Sequence, residues 1–548
     1  LRHEGKRGVK RLIDPKSIAG KKLPVAERTQ LLVLGGGPAG LAAAIEGARA
    51  GLKVMLVDEN PVDGGMMGID VPLHYGQRMD GQVRNRARMT EQIVASDPAI
   101  EEAFGADVDV RLAAYAWGAF ANGDGVRWLP GMVAGLADDE KSWLVGFDRI
   151  VVAAGRRDLA LSFPGWQLPG VMGAAAARML IERYRAFTGT RLLILGSGAE
   201  ALTTAIAAQR QGLEVAGLVE VAAAPVGPPA LLEQAKAGGV PVFTSTVILA
   251  AEGTDGVRAA RIAGLNAELR PVEGSERTIA CDTIVLALGG VPNVETLNVL
   301  GCDLAYRAEL GGYAPAVDAT LQTTVQGVFA AGDCLGVHST KTLDADIARA
   351  EGRLAALGAA LSLGAIDQAA YARRAAGLAP RPEPELAAVA YRTDWMRALI
   401  NAGGGDVTVC QCEEVTRADL LGVRPPRYLG ARPKRVAKRS LATLTEDGPA
   451  NQDQIKRLTR AGMGPCQGRR CREQIALMLA VSTGTPIEQI PLAGYRAPLR
   501  PLPLGLMQAA HEAPGMAEHW DIWFGIPTQF LPPHEIEKAD RERESYGK

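Results

Sequence analysis

Four of the seven cysteines in this 548-residue chain fall in two couples, Cys410 and Cys412 in CQCEEVTRADL and Cys466 and Cys471 in GMGPCQGRRC. Four thiolates brought together can hold two iron ions with sulfide, or a single structural zinc ion, because deprotonated sulfur is a strong, soft donor. Structural zinc usually uses closer C-x2-4-C pairs, yet spacing alone leaves the metal open. Disulfides are disfavoured, since Cys410 and Cys412 are too near in sequence to bridge comfortably and the neighbouring domains read as intracellular. Unliganded thiols are the remaining reading. Cys281, Cys302 and Cys334 read as small core residues, Cys334 without a CxxC partner.

Each couple needs an element to aim it. Thr416 followed by Asp419 reads as a capping box opening a helix just after the first couple, and REQIALMLAV after Cys471 has helical apolar spacing. Both couples are therefore expected near helix N-termini, whose partial positive charge and free N–H groups suit an anionic cluster. Arg469, Arg470 and Arg472, with Lys456, Arg457 and Arg460 nearby, would either raise the potential of such a cluster or form a solvated basic face.

The stretch QLLVLGGGPAGLAAAIEGARAGLKVMLVDEN reads as strand, glycine turn, helix and acid-tipped strand, one complete βαβ unit. Gly35, Gly37 and Gly40, with Pro38 and Ala39 between them, would set the turn, the approach to a pyrophosphate and the helix packing. Asp58 and Glu59 would stand near a ribose hydroxyl. FDRIVVAAGRRD, containing Gly155, and CDTIVLALGGVPN each read as a buried strand running into a glycine turn. TTVQGVFAAGDCLG, containing Gly332 and Asp333, resembles the two-dinucleotide-domain flavoprotein reductases, which implies that Asp333 holds the ribityl chain of FAD; capping a helix is the ordinary role of such an Asp. Where relatives carry Gln under the flavin, this chain has Met66, which leaves another adenine nucleotide open at this site.

A second unit, TRLLILGSGAEALTTAIAAQRQGLEVAGLVE, presents Gly196, Gly198 and Ala201 with Glu220 closing its second strand. The resemblance implies a pyridine-nucleotide domain for NAD, and a Rossmann unit that kept its fold without its ligand is the competing reading. His74 and His338 could approach a flavin ring, with packing as the ordinary explanation.

CQCEEVTRADL and RLTRAGMGPCQGRRC, together with FPGWQLPGVMGAAAARML (163–180), resemble the α subunits of heteromeric dye-linked dehydrogenases: D-hydroxyproline, L-proline and opine dehydrogenases, a component of hydrogen cyanide synthase and, more distantly, heterotetrameric sarcosine oxidase. These carry a small [2Fe–2S] domain of the bacterioferritin-associated ferredoxin type. The resemblance implies an α/β fold of two Rossmann-like dinucleotide-binding domains, one inserted in the other, plus the helical [2Fe–2S] domain and a C-terminal extension. The expected boundaries are a basic arm at 1–28, an FAD-binding domain at 29–160 and 280–365, and an inserted NAD-like domain at 161–279. A linker at 366–400, the cluster domain at 401–485 with an inserted loop at about 422–452, and an extension at 486–548 follow. It implies FAD and a [2Fe–2S] cluster on Cys410, Cys412, Cys466 and Cys471, with FMN at a subunit interface as a further candidate. It also implies an FAD-containing β subunit that oxidises a C–N bond, and a small third subunit in some assemblies.

Composition fits this picture and narrows it. The length suggests three or four domains, and 47% hydrophobic with 22% charged residues is ordinary for a globular chain. A formal net charge of −1 gives no support to nucleic acid as partner, and no apolar run reaches the eighteen residues of a membrane span. A cytoplasmic location, or one peripheral to the inner face of a membrane, is expected. The 1–28 segment carries nine basic against three acidic residues and reads as a solvated tail or a docking arm. The aromatic tail around Trp520, Trp523, Phe524 and Phe530 reads as a subunit contact or an intramolecular wrap. The expectation is an electron-transfer subunit of a heteromeric amine or imino-acid dehydrogenase. The alternatives are a self-sufficient NAD(P)H-dependent reductase, or a nucleotide-bound scaffold that relays no electrons.

Overall fold

The computed structural model describes residues 25–67, 74–122, 129–378, 389–426 and 438–508. The outer nucleotide domain is a seven-stranded sheet. Its strand order is Asp109–Arg111, Val54–Val57, Val25–Leu34, Ser142–Val152, Met132–Ala137 and Tyr115–Phe120, with Val328–Ala330 pairing parallel onto Ser142–Val152. The first three strands and the Ser142–Val152 strand run parallel, as helix crossovers require. Most of their Val, Leu and Ile side chains are buried, on both faces.

Helix α1 (Pro38–Arg49) follows the first glycine turn and α2 (Ala199–Arg210) the second. Helix α3 (Ala345–Ser362) crosses α1 so closely that a Cβ on Gly352 would overlap the Ala39 carbonyl. The inserted domain has a five-stranded sheet in the order Val242–Phe243, Glu214–Val219, Arg191–Leu195, Thr283–Leu286, Val171–Gly173. An antiparallel sheet of Thr246–Glu252, Ala259–Gly264 and Arg277–Ala280 stands beside it.

Three boundaries differ from expectation. Thr283–Leu286 belongs to the inserted sheet, pairing with Arg191–Leu195, so the outer domain does not resume at 280; the chain crosses back where Gly290–Pro292 pairs antiparallel with Arg156–Asp158. An apolar run ending in a glycine turn looks the same in either sheet. The expected linker contains α4 (Gln368–Ala375) and α5 (Val389–Asn401), and Trp395 and Met396 of α5 are fully buried. The stretch expected as an inserted loop contains α7 (Leu441–Asp447), opened by a Ser440/Thr443 capping box, after the short α6 (Arg417–Leu421). Residues 1–24 of the basic arm, 427–437 of that loop and the aromatic tail from 509 lie outside the described residues; Val25–Arg28 already belong to the first strand.

The cysteine module is completed by α8 (Gln452–Thr459) and α9 (Arg472–Thr483), the latter packed on α5 within the apolar cluster of the inserted domain. Residues 491–503 run back over the outer domain: Leu499 N–H donates to the Trp117 carbonyl, Tyr495 is buried, and Arg500 pairs with Glu59. No helix among the described residues is long and apolar enough to cross a membrane.

Candidate redox site

The first glycine turn is built as its spacing predicts. Gly35 has φ +110° and a Cβ there would overlap the Ala153 carbonyl, while a Cβ on Gly40 would overlap the Gly35 carbonyl. Gly37 is the N-cap of α1, Pro38 occupies the first turn, and nothing lies within 4 Å of a Cβ on Gly37, so backbone N–H groups face an open cleft. The two acids divide their work. Asp58 braces the turn, its two oxygens accepting from Gly36 N–H (2.5 Å) and Asn60 N–H (2.9 Å) with lone pairs to spare, and it lines the cleft. Glu59 lines the cleft as well and meets Arg500.

That cleft is a cavity of about 250 Å³ lined by Gly35, Gly37, Glu59, Gly155, Arg156 and Arg469 among others. A second cavity of about 390 Å³ adjoins it at Glu59, with Met66 in its wall. Gly155 (φ +68°) turns the returning strand, and Gly332, where a Cβ would crowd Ala39 Cβ at the start of α1, leads into Asp333. Asp333 faces Arg156 at 3.7 Å. The Gly332 turn is pinned from behind: Glu351 of α3 accepts from Gly332 N–H (2.9 Å) and from Lys341 Nζ (2.9 Å), and Lys341 also donates to the Gly332 and Gly336 carbonyls. Turn, helix N-terminus, Glu59 and Asp333 together fit a flavin adenine dinucleotide.

Lys341 and Glu351 were not legible as site residues, although a lone Glu on the core face of an Ala-rich helix is the signal that could have found them. Both are about 2% exposed, so neither charge survives alone. Lys341→Met is expected to cost on the order of 3 kcal/mol and to weaken nucleotide retention, measured as a lower denaturation midpoint with flavin lost on desalting.

The two cysteine segments meet each other pair by pair. Cys410 shares a hydrogen bond with Cys471, and Cys412 with Cys466, and the couples lie close enough for their charges to interact. Gly462 N–H donates to Cys410 Sγ (3.4 Å). The Cys412 thiol, burial opposing, the N–H groups of Arg470 and Gly468 and the Arg470 charge act on Cys466, pulling it down to about 5. A Cβ on Gly464 would overlap Cys412 Cβ, so only glycine lets the second loop approach the first. Cys471 is itself the N-cap of the twelve-residue α9. The first couple differs from expectation in that Cys410 ends the strand Thr408–Cys410; Thr416 does cap α6, its hydroxyl accepting from Asp419 N–H (3.1 Å) and donating to the Asp419 carboxylate (2.7 Å). Among the described residues no group of three or more His, Cys, Asp or Glu side chains is spread at metal-binding geometry; the sulfurs meet as two couples.

The arginines are not a solvated face. Arg469 and Arg472 are 5% and 3% exposed. Arg469 donates to the Cys466 carbonyl (3.2 Å) and lines the first nucleotide cavity, Arg470 reaches Gln411 (2.8 Å), and Arg472 lies 3.5 Å over the Tyr495 ring. Arg460 pairs with Glu413 (2.8 Å), and Arg457 is exposed. Buried contacts tie the module to the nucleotide domains. Gln474 joins Ser162 to Val409, Trp166 Nε1 donates to the Thr408 carbonyl (2.7 Å), and Arg417 reaches the Ser162 carbonyl (2.8 Å). Arg157, next to the cleft residue Arg156, pairs with Glu295 and with Glu473 of α9 (2.5 Å) and donates to Tyr495 Oη (3.1 Å).

The second turn repeats the first: Gly196 has φ +105°, Gly198 is the N-cap of α2, and Ala201 is fully buried where a third glycine would stand. Glu220 ends the Glu214–Val219 strand but is fully buried. The histidines pack: burial, then the Arg470 charge, push His74 down to about 3 beside Trp166, and His338 caps the Ser339–Leu343 helix. Cys281, Cys302 and Cys334 are buried core residues.

With this arrangement defined, comparison with known proteins places the chain. Residues 29–374 match the family described as pyridine nucleotide-disulphide oxidoreductase, and residues 434–511 match the sarcosine oxidase A3 domain. The chain belongs to the pyridine nucleotide-disulphide oxidoreductase family. An opine oxidase subunit of Agrobacterium tumefaciens (strain Ach5) is 26% identical over 86% of this chain and 90% of its own length. Hydrogen cyanide synthase subunit HcnB of Pseudomonas aeruginosa is 28% identical over 87% of this chain and 98% of its own. The crystal structure of L-proline dehydrogenase from P. horikoshii superposes with a TM-score of 0.59, at 20% identity, covering 89% of this chain and 81% of that one. The resemblance carried by the cysteine segment, and the two-Rossmann α/β fold, are thereby borne out; this is an oxidoreductase of that subunit family.

Proposed function

We propose that this chain is the electron-relay subunit of a heteromeric dehydrogenase acting on a secondary amine, imino acid or opine-like substrate, with a [2Fe–2S] cluster on Cys410, Cys412, Cys466 and Cys471 and FAD in the first cleft. The observation that supports the reading is the pairing of Cys410 with Cys471 and of Cys412 with Cys466, beside peptide N–H donors and Arg470. Two hydrogen-bonded thiol couples that lose their shared protons become mutually repelling thiolates, and a bound iron centre would neutralise such a set. The flavoprotein setting favours iron over zinc.

Bound there, FAD would convert two-electron into one-electron chemistry and the cluster would carry single electrons onward. The chain's own residues hold the geometry for this. The Gly35 turn and α1 N-terminus bind diphosphate, Glu59 takes the ribose, and Asp333, pinned through Lys341 and Glu351, orients the ribityl chain. Arg469 spans from the Cys466 carbonyl to the nucleotide cavity, making the two centres neighbours. A separate FAD-containing β subunit would remove hydride from the substrate, in keeping with relatives named as subunits of opine oxidase and hydrogen cyanide synthase. Interface FMN and a small third subunit belong to the same proposal.

The test is anaerobic copurification of the chain with its partners. Iron and acid-labile sulfide are to be measured, followed by electron paramagnetic resonance after addition of candidate imino acids and opines. Two irons and two sulfides per chain, reduced by substrate only when the partner is present, are expected. Zinc in place of iron, or a cluster that never changes state, would sink the relay.

A further inference from the structure

The second Rossmann unit has every element of a nucleotide site, yet its ribose end is already filled. Glu220 stands where an adenosine ribose would be accepted. Its Oε2 accepts from Ser197 Oγ (2.6 Å) and Tyr391 Oη (2.9 Å), and its Oε1 from Ala222 N–H (3.0 Å). Ser197 Oγ accepts in turn from Val226 N–H (3.0 Å), drawing the following loop over the glycine turn, and a Cβ on Gly227 would overlap the Ser197 carbonyl. The Tyr391 hydroxyl would lie 3.3 Å from a Cβ on Gly196, so the phenol rests on the turn itself.

The diphosphate position is also compromised. Glu200, in the first turn of α2, is 6% exposed and pairs with Arg156 (2.9 Å), placing a carboxylate where the helix would otherwise attract phosphate. The adjoining cavity of about 560 Å³ runs from Gly198 to His338 and Thr342 and has neither Gly196 nor Glu220 in its wall. The first cleft differs in its acid: Glu59 is 27% exposed and lines the cavity wall, whereas Glu220 is fully buried.

Tyr391 belongs to α5, the helix whose Trp395 and Met396 are buried in one cluster with Ile475 and Leu479 of α9. Its neighbour Arg392 donates to the Gly290 carbonyl (2.7 Å) and to that of Gly311. We infer that the second dinucleotide cleft is closed by the chain itself, the Tyr391 hydroxyl taking the ribose position on Glu220, and that it serves as the socket seating α5 and the cysteine module. Pyridine nucleotide then cannot enter there, whatever the cysteines bind.

The full-length, flavin-loaded chain is to be titrated with NADH and NADPH, following tryptophan fluorescence, beside Glu220→Gln, Tyr391→Ala and Tyr391→Phe. The native chain is expected to show no saturable binding that depends on Glu220; binding that Glu220→Gln leaves intact lies outside this cleft and agrees with closure. Tyr391→Ala should bind NADH at least about ten-fold more tightly than the native chain, the scale of one regained hydrogen bond. Tyr391→Phe, which keeps the ring, should stay closed while exchanging backbone amides of 389–401 faster. Saturable NADH binding to the native chain that Glu220→Gln abolishes would overturn the inference, as would a folded Tyr391→Ala without any gain. Should Tyr391→Ala not fold, the native and Glu220→Gln titrations decide.

Discussion

Cys466→Ser is expected to release essentially all iron and acid-labile sulfide while the flavin stays bound. Cys466 is the sulfur on which most donors converge: the Cys412 thiol, the N–H groups of Gly468 and Arg470, and the Arg470 guanidinium all favour its charged form. A serine hydroxyl is neither ionised under such conditions nor soft enough to replace thiolate toward iron. The flavin should stay because the site lies on Gly35, Glu59 and Asp333, and Arg469 reaches the module through the Cys466 carbonyl, which the substitution keeps. Elemental analysis beside the flavin absorbance reads both halves of the expectation. Cys302→Ser is the control, since Cys302 meets Thr323 in the core of the outer domain and should keep its iron. Full iron in Cys466→Ser would remove that residue from the ligand set.

Arg157→Met should loosen the joint between module and nucleotide domains by on the order of 5 kcal/mol, because one buried cation serves two carboxylates. Arg157 is 1% exposed, and its loss leaves Glu295 and Glu473 facing one another without it. Differential scanning calorimetry should show an earlier transition for the 401–508 region. Limited proteolysis should then cut near the joint, whereas an unchanged profile would refute the coupling. Acid probes the same contact. Burial opposes the Glu295 charge, but Arg157, Arg469 and Arg472 together overcome it and hold its pKa below the usual 4.5. A depressed carboxylate contributes stability above its unfolded pKa and loses it as pH falls through the folded value, so the joint should weaken below about pH 4.5 and be insensitive near neutrality.

The glycine turns and the first βαβ unit were legible because each rests on local spacing: Gly35, Gly37 and Gly40 are three positions of one turn. What sequence could not show was competition for the acids. Asp58 and Glu59 are adjacent, and only the fold reveals that the first also braces Gly36 and Asn60 while the second meets Arg500. Glu220 looks like a ribose acceptor until Tyr391 arrives from 171 positions away. Likewise the proline-rich APRPEPE at 379–385 lets 366–400 pass for a linker, and the burial of Trp395 depends on α9, which follows much later. The arginines beside Cys471 could be read either way by charge alone; burial decides for Arg469 and Arg472.

The outer sheet receives its last strand, Val328–Ala330, only after the whole inner domain has been made, and its covering helix α3 later still. On the ribosome the interval between Val152 and Val328, at ~5–20 residues per second, lasts on the order of tens of seconds. Throughout it the Ile150–Val152 backbone is an unpaired edge, open to strands of other nascent chains. The inner unit, whose sheet is complete at Leu286, can fold meanwhile, so chains that stall between the two events carry one finished domain and one adhesive one. Holding such an edge apart until its strand emerges is work for a cellular chaperone.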